Sequence, residues 1–284
     1  MHIGPWDIQI VSGGQFALDG GAMFGTVPKV VWSKVYPADQ DNQILMATNC
    51  LLVRGFLNGK QENILIDNGN GDKEDDAFMS RFKFEGRGVL DRELARFDLT
   101  PKDITCCILT HLHFDHAGGS TRFDAQGNLV PSFPNARYIV QKKDLEDAKD
   151  PHIRVRASYL PKNWECLEAL GLLETVDGDH EIFPGIHVRL APGHIEALQN
   201  VVIEGGGKKL LYLADLIPTS RHIQPAWIMG YDLDVVTCVD EKIKVLNEVC
   251  NSGTVLVFEH DPDVPAGTVS QDTKGKYIVT PVAV

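Results

Sequence analysis

The sequence holds no apolar run approaching the ~20 residues that a membrane-spanning helix requires. Residues 1–30 contain no basic stretch leading into an apolar one, so no secretory leader is expected and a cytoplasmic protein is. Positive charge is scarce as well: 27 Lys and Arg stand against 39 Asp and Glu, a formal net charge of −12. That balance removes the basic footprint that nucleic acids and anionic membranes demand, leaving a small molecule as the expected partner. The six cysteines, Cys50, Cys106, Cys107, Cys166, Cys238 and Cys250, include no Cys-x-x-Cys spacing. With Cys106 and Cys107 inside an apolar run, they read as small core hydrophobes rather than ligands or a disulfide framework. No solenoid-range repeat, low-complexity tract or Pro/Ser-rich linker interrupts the chain, so residues 1–284 are expected to form one domain. Nothing in the pattern decides whether copies of the chain associate into a homo-oligomer.

What the chain has in excess is imidazole in one place. Within Ile108–Gly119, His111, His113, Asp115 and His116 fall inside six residues, directly after an apolar run. Imidazole and carboxylate are the usual ligands of Zn²⁺ and similar cations. Without a cation, such a cluster would be costly to bury unless every group found a hydrogen-bond partner.

Periodicity supplies the frame. The stretches 8–14 and 18–25 read as strand and turn, and 49–57 and 63–67 as a hairpin around Asn58-Gly59. Leu90, Leu94 and Phe97 predict a helix within 89–99, followed by a buried strand over 104–109. Helices are predicted at 141–149, 163–170 and 239–250, and strands at 186–190, 200–204, 210–213 and 254–258. Strands with helices between them in both halves predict two packed sheets covered outside by helices, a four-layer α/β arrangement.

Five apolar runs each end in a ligand-type residue: Asp67, His111, His194, Asp215 and His260. If those ends share one edge, His111, His113, Asp115, His116, His194, Asp215 and His260 converge with Asp67 behind them. Five histidines and two aspartates exceed the four positions of one tetrahedral zinc and suit two cations sharing a carboxylate.

With Thr110-His111-x-His113-x-Asp115-His116, Pro192-Gly193-His194, Asp215 and His260 in this order, the sequence resembles the metallo-β-lactamase superfamily. The resemblance implies a four-layer αββα sandwich, with two mixed sheets flanked by helices and a dinuclear site at one sheet edge. It implies His111, His113 and His194 on the first metal, Asp115, His116 and His260 on the second, Asp215 as the bridge, and Asp67 hydrogen-bonded behind them. Zinc is the expected metal; manganese, cobalt and iron are the alternatives.

Within the superfamily, His-Leu-His-Phe-Asp-His-Ala-Gly-Gly is similar to the N-acyl homoserine lactonase-like, quorum-quenching branch. That likeness implies a hydrolase in which a metal-bridging hydroxide opens a lactone or related ester of a small, partly apolar substrate. Asp115 would pass a proton to the leaving oxygen. The alternatives are an organophosphate or aryl-ester hydrolase on the same site, an iron-dependent redox enzyme of the same fold, and a metal-binding protein without turnover. Lactonases of this branch often place a tyrosine three residues past the bridging aspartate; here Pro218 stands there, and His222 is the candidate for that role. Met23, Phe24, Trp32, Trp227, Met229 and Tyr231 are the candidates for an apolar pocket wall.

Overall fold

The computed structural model describes all 284 residues. Two seven-stranded sheets dominate it. The first runs from the N-terminus to Leu173–Val176 and the second from His180–Phe183 to Tyr277–Pro281. Alternation along single strands shows why two sheets pack with helices outside. In the strand Gln43–Leu57, Leu51 and Val53 point into the core between the sheets, whereas Cys50 and Leu52 point to the helical face. Cys106 and Cys107 divide in the same way, one into each core. The inter-sheet core counts 37 buried residues and the outer one 21, including Leu90, Leu94, Leu145 and Leu167 from helices. The layering is therefore the αββα sandwich, as period-2 patterning requires.

All six cysteines are free thiols; four are buried, while Cys166 and Cys250 are half-buried. No helix is long and apolar enough to cross a membrane.

Strand direction fixes where the polar residues go. Lys60–Ile66, Cys106–Ile108 and Arg137–Gln141 run parallel in the first sheet. Lys208–Tyr212 and Val255–Val257 run parallel in the second, and Ile186–Leu190 shares their direction through two antiparallel pairings. The carboxyl ends of these strands deliver Asp67, His111, His194, Asp215 and His260 to one edge. Asp67 sits there in the left-handed region, at φ 51°. Gly118, just after the histidine cluster, lies so near the loop behind Asp67 that a Cβ would stand 2.2 Å from the Asn70 carbonyl oxygen.

Several boundaries differ from the sequence reading. The first segment is one strand, Trp6–Asp19, bulged between Ser12 and Gln15 instead of broken by a turn. Residues 20–24, expected as strand and turn, form the helix Gly20–Phe24, because the Asp19 carboxylate accepts the Ala22 N–H and caps it. The last long helix spans Val235–Val249, starting ahead of the apolar stripe where Asp234 caps the Thr237 N–H. The hairpin Ala266–Gln271 with Tyr277–Pro281 lies beyond the last strand predicted from the sequence.

Candidate metal centre

The chain reaches the centre in extended form through His111 and His113, and at His113 it enters the short helix Phe114–Ala117. That change of direction swings Asp115 and His116 away from the first pair. Two groups of donors result: His111, His113, His194 and Asp215 in one, Asp115, His116 and His260 in the other, the donor atoms of each lying within 4.8 Å of one another.

Asp215 stands between the groups. Its Oδ2 lies 3.1 Å from His194 Nε2 and 3.9 Å from His111 Nε2. Its Oδ1 lies 3.1 Å from His260 Nε2 and 3.6 Å from His116 Nε2. Each oxygen of one carboxylate therefore faces a different set. Across the sets' interiors, imidazole nitrogens face each other directly: His113 Nδ1 and His194 Nε2 at 3.2 Å, His116 Nε2 and His260 Nε2 at 3.2 Å. His111 Nε2 and Asp215 Oδ1 are buried with no hydrogen-bond partner. Lone pairs converging without donors, in a buried space, fit cations, so the residues are able to hold two metal ions.

The outward nitrogens of His116, His194 and His260 are anchored, which fixes those three rings. His116 Nδ1 lies 3.0 Å from Asp67 Oδ2 and 2.9 Å from Glu259 Oε2. His194 Nδ1 meets Asp232 Oδ1 at 3.0 Å, and His260 Nδ1 donates to the Ala47 carbonyl at 2.8 Å. Asp67 also accepts the Thr110 N–H at 2.7 Å and its hydroxyl at 2.6 Å. Asp232 and Glu259 were not singled out from the sequence, because only tertiary contact with a histidine gives them a task.

Burial, then the neighbouring imidazoles, pushes His111 and His113 well below the usual histidine range. Burial acts the same way on His116, His194 and His260, but it is outweighed by carboxylates: Glu259 and Asp215 around His116, Asp215 and Asp232 around His194, and Asp215 around His260, which rises to about 9. Against its own burial, Asp215 is held well below the carboxylate range by His194, His116 and His260. The surrounding imidazoles thus favour Asp215 as the anion, the form in which a carboxylate ligates a cation.

A cavity of about 390 Å³ opens onto the centre. Its wall includes His113, Asp115, His194, Asp215 and His260, with Leu18, Met23, Phe114, Met229 and Tyr231 as its apolar part. Met23, Met229 and Tyr231 line this cavity. Phe24 and His222 do not. Phe24 is fully buried, stacked on Trp32 at 5.2 Å and on the His222 ring at 4.5 Å. His222 has both nitrogens engaged, Nδ1 with Thr219 Oγ1 at 2.8 Å and Nε2 with the Met23 carbonyl at 2.8 Å, and burial drives it down to about 3. A neutral imidazole locked behind the wall has no path to a substrate carbonyl, which corrects its catalytic assignment. Trp227 lines a different groove, beside Val35 and Tyr277.

The loop through His222 and Trp227 is held by a fully buried lysine. Lys242 Nζ donates to the His222 carbonyl at 2.7 Å and the Trp227 carbonyl at 2.5 Å, and burial pushes Lys242 down to about 8. Its folded value lies below the 10.5 of the unfolded chain, so the penalty for burying charge is full below pH 8. Between pH 8 and 10.5 the unfolded chain binds more protons, and this residue's contribution to stability rises. Comparing the protein with Lys242→Met by urea unfolding at pH 7 and pH 10 should show the free-energy gap moving in favour of lysine by up to about 3 kcal/mol. A gap independent of pH would refute this assignment.

A family model described as the metallo-beta-lactamase superfamily matches residues 44–247. The N-acyl homoserine lactonase of Bacillus cereus is 27% identical over 176 residues, 61% of this chain and 62% of that protein. The N-acyl homoserine lactonase AttM of Rhizobium radiobacter is 25% identical over 182 residues, 62% of this chain and 65% of that protein. The matches thus span less than two thirds of these relatives' lengths. Among solved structures, a probable metal-dependent hydrolase from Staphylococcus aureus superposes with a TM-score of 0.88 at 32% identity, covering 100% of both chains. AidC, a dizinc quorum-quenching lactonase in complex with a product, shares the fold at TM-score 0.79 and 23% identity, covering 100% of this chain and 97% of its own.

Proposed function

The chain belongs to the metallo-β-lactamase superfamily, and on that footing we propose that it is a dinuclear metallohydrolase opening a lactone or related ester of a small, partly apolar substrate. The observation that carries the reading is Asp215, one carboxylate oxygen turned to each donor set. His111, His113 and His194 would hold the first cation, Asp115, His116 and His260 the second, and Asp215 both. Two such cations supply a water of lowered pKa and polarise a carbonyl oxygen.

The rest is done by the chain. Leu18, Met23, Phe114 and Met229 seat the apolar part of the substrate and exclude water from it. Asp115 lines the cavity beside His113, Asp215 and His260 and would carry a proton to the leaving oxygen. Tyr231 takes the place that His222 cannot fill. Its phenol lines the same cavity and is pushed up to about 12 by burial and then by Asp115, so it keeps its proton at neutral pH. It is therefore a donor for the charge that develops on the carbonyl oxygen. Tyr231→Phe is expected to lower kcat by about 10²-fold with metal content unchanged; an unaltered kcat would remove Tyr231 from the mechanism.

The deciding experiment strips the protein, reloads it with Zn²⁺, Mn²⁺ or Co²⁺, and assays lactones of graded acyl length beside aryl esters and phosphotriesters. Two ions per chain and lactone hydrolysis that varies with acyl length are expected. Turnover of phosphotriesters alone, or a chain that binds no ion, would overturn the reading.

A further inference from the structure

Beneath the His111-Leu112-His113 turn lies a carboxylate that the mechanism above does not use. Asp144, in the first turn of the helix Lys142–Lys149, is fully buried. Its Oδ2 accepts the Leu112 N–H at 2.9 Å, and its Oδ1 accepts the Tyr159 hydroxyl at 2.6 Å. Neither donor is charged, and no lysine, arginine or histidine pairs with it. Burial accordingly pushes Asp144 up to about 7. A buried carboxylate held only by neutral donors is an expensive way to join two segments, since apolar packing would do so at less cost.

The two segments explain the expense. Leu112 is the residue between two ligand histidines. Tyr159 packs against His113 in a T-shaped pair, with ring centroids 4.7 Å apart, and pairs with it as an isolated bridge. One residue earlier, the Ser158 carbonyl accepts the Phe114 N–H at 2.9 Å. Val155, Ala157 and Ser158, from the same segment as Tyr159, line the cavity.

We propose that Asp144 is a positioning residue for the first cation site, clamping the turn that carries His111 and His113 to the segment 155–159 that walls the substrate cavity. The inference rests on the two-cation reading and goes beyond it by assigning the clamp. Through Leu112 the carboxylate sets the spacing of the His-x-His pair; through Tyr159 it braces the His113 ring and ties both to the wall. Loss of the clamp loosens His111 and His113 while leaving His116, which hangs on Asp67 and Glu259, and His260, which hangs on Ala47, as they are.

The test follows cation release from the loaded protein into a chromophoric chelator, beside thermal unfolding of the metal-free form. Asp144→Leu removes both acceptors, Tyr159→Phe one donor. Asp144→Asn keeps the shape and one acceptor, so it remains informative should the leucine variant not fold. One of the two ions should leave about 10- to 100-fold faster in Asp144→Leu and by a smaller factor in the other two. The second ion should leave at the parent rate, and the Tm of metal-free Asp144→Asn should stay near the parent's. Parent-like release of both ions in all variants that fold overturns the proposal. Equal acceleration of both ions overturns it too, because that is what general loosening produces. If the parent itself retains no ions, the two-cation reading fails first and takes this inference with it.

Discussion

Asp215→Ala should leave a protein that retains fewer than two ions per chain and loses roughly 10³-fold or more in kcat. The expectation follows from its two oxygens, at 3.1 Å from His194 Nε2 and 3.1 Å from His260 Nε2, so that one truncation opens both donor sets. Each metal role is worth several kcal/mol of barrier, and about 4 kcal/mol corresponds to about 10³ in rate. The histidines suffer as well. His194, His116 and His260 all face this carboxylate, and without it three buried rings lose the anion that supports their protons. The measurement is elemental analysis beside turnover under saturating metal. A variant retaining two ions and parent activity would show that Asp215 does not join the sites.

Gly193→Ala is expected to be strongly destabilising for a single added methyl group. Gly193 sits at φ 136°, outside the range open to alanine without strain, and its new Cβ would fall 2.4 Å from Cys238 Cα and 2.6 Å from Cys238 N. Those are backbone atoms of the helix Val235–Val249, so no side chain can rotate away. Strain of about 1–3 kcal/mol and overpacking of about 1–3 kcal/mol act together. A loss near 4 kcal/mol lowers Tm by about 10 °C in a chain of this size. The ligand loop is pinned to the same place: Asp234 N–H donates to the Gly193 carbonyl at 2.9 Å and Leu233 N–H to the His194 carbonyl at 3.0 Å. His194 should therefore shift with the clash, and metal retention should fall together with Tm. A Tm within about 2 °C of the parent would sink the argument.

These positions differ in how far they could be read from the chain. The gathering of His111, His113, Asp115, His116, His194, Asp215 and His260 was legible because each follows a strand, and strands with a common direction place their ends on a common edge. The layering was legible for a similar reason, since Leu51 and Val53 against Cys50 and Leu52 is a period-2 pattern. Helix Gly20–Phe24 was not, because five residues are too few for periodicity and its cap, Asp19, looks like any turn aspartate. His222 was misread because a loop position gives no hint that Phe24, almost two hundred residues earlier in the chain, will lie flat against its ring. Asp144, Asp232 and Glu259 escaped notice for the same cause. Their partners include backbone, phenol and imidazole groups from elsewhere in the fold, and no local spacing encodes such contacts.

The two donor sets are drawn from both sheets, and that has a consequence for the order in which a growing chain can build them. The first sheet's strands bring Asp67, His111, His113, Asp115 and His116 early, yet neither set is complete with them. Synthesis through Asp215 finishes the first set, with His194 already made, whereas the second waits for His260, beyond the strand Val255–Val257. On the two-cation reading, a first cation would thus meet a complete donor set while the other set still lacked a ligand.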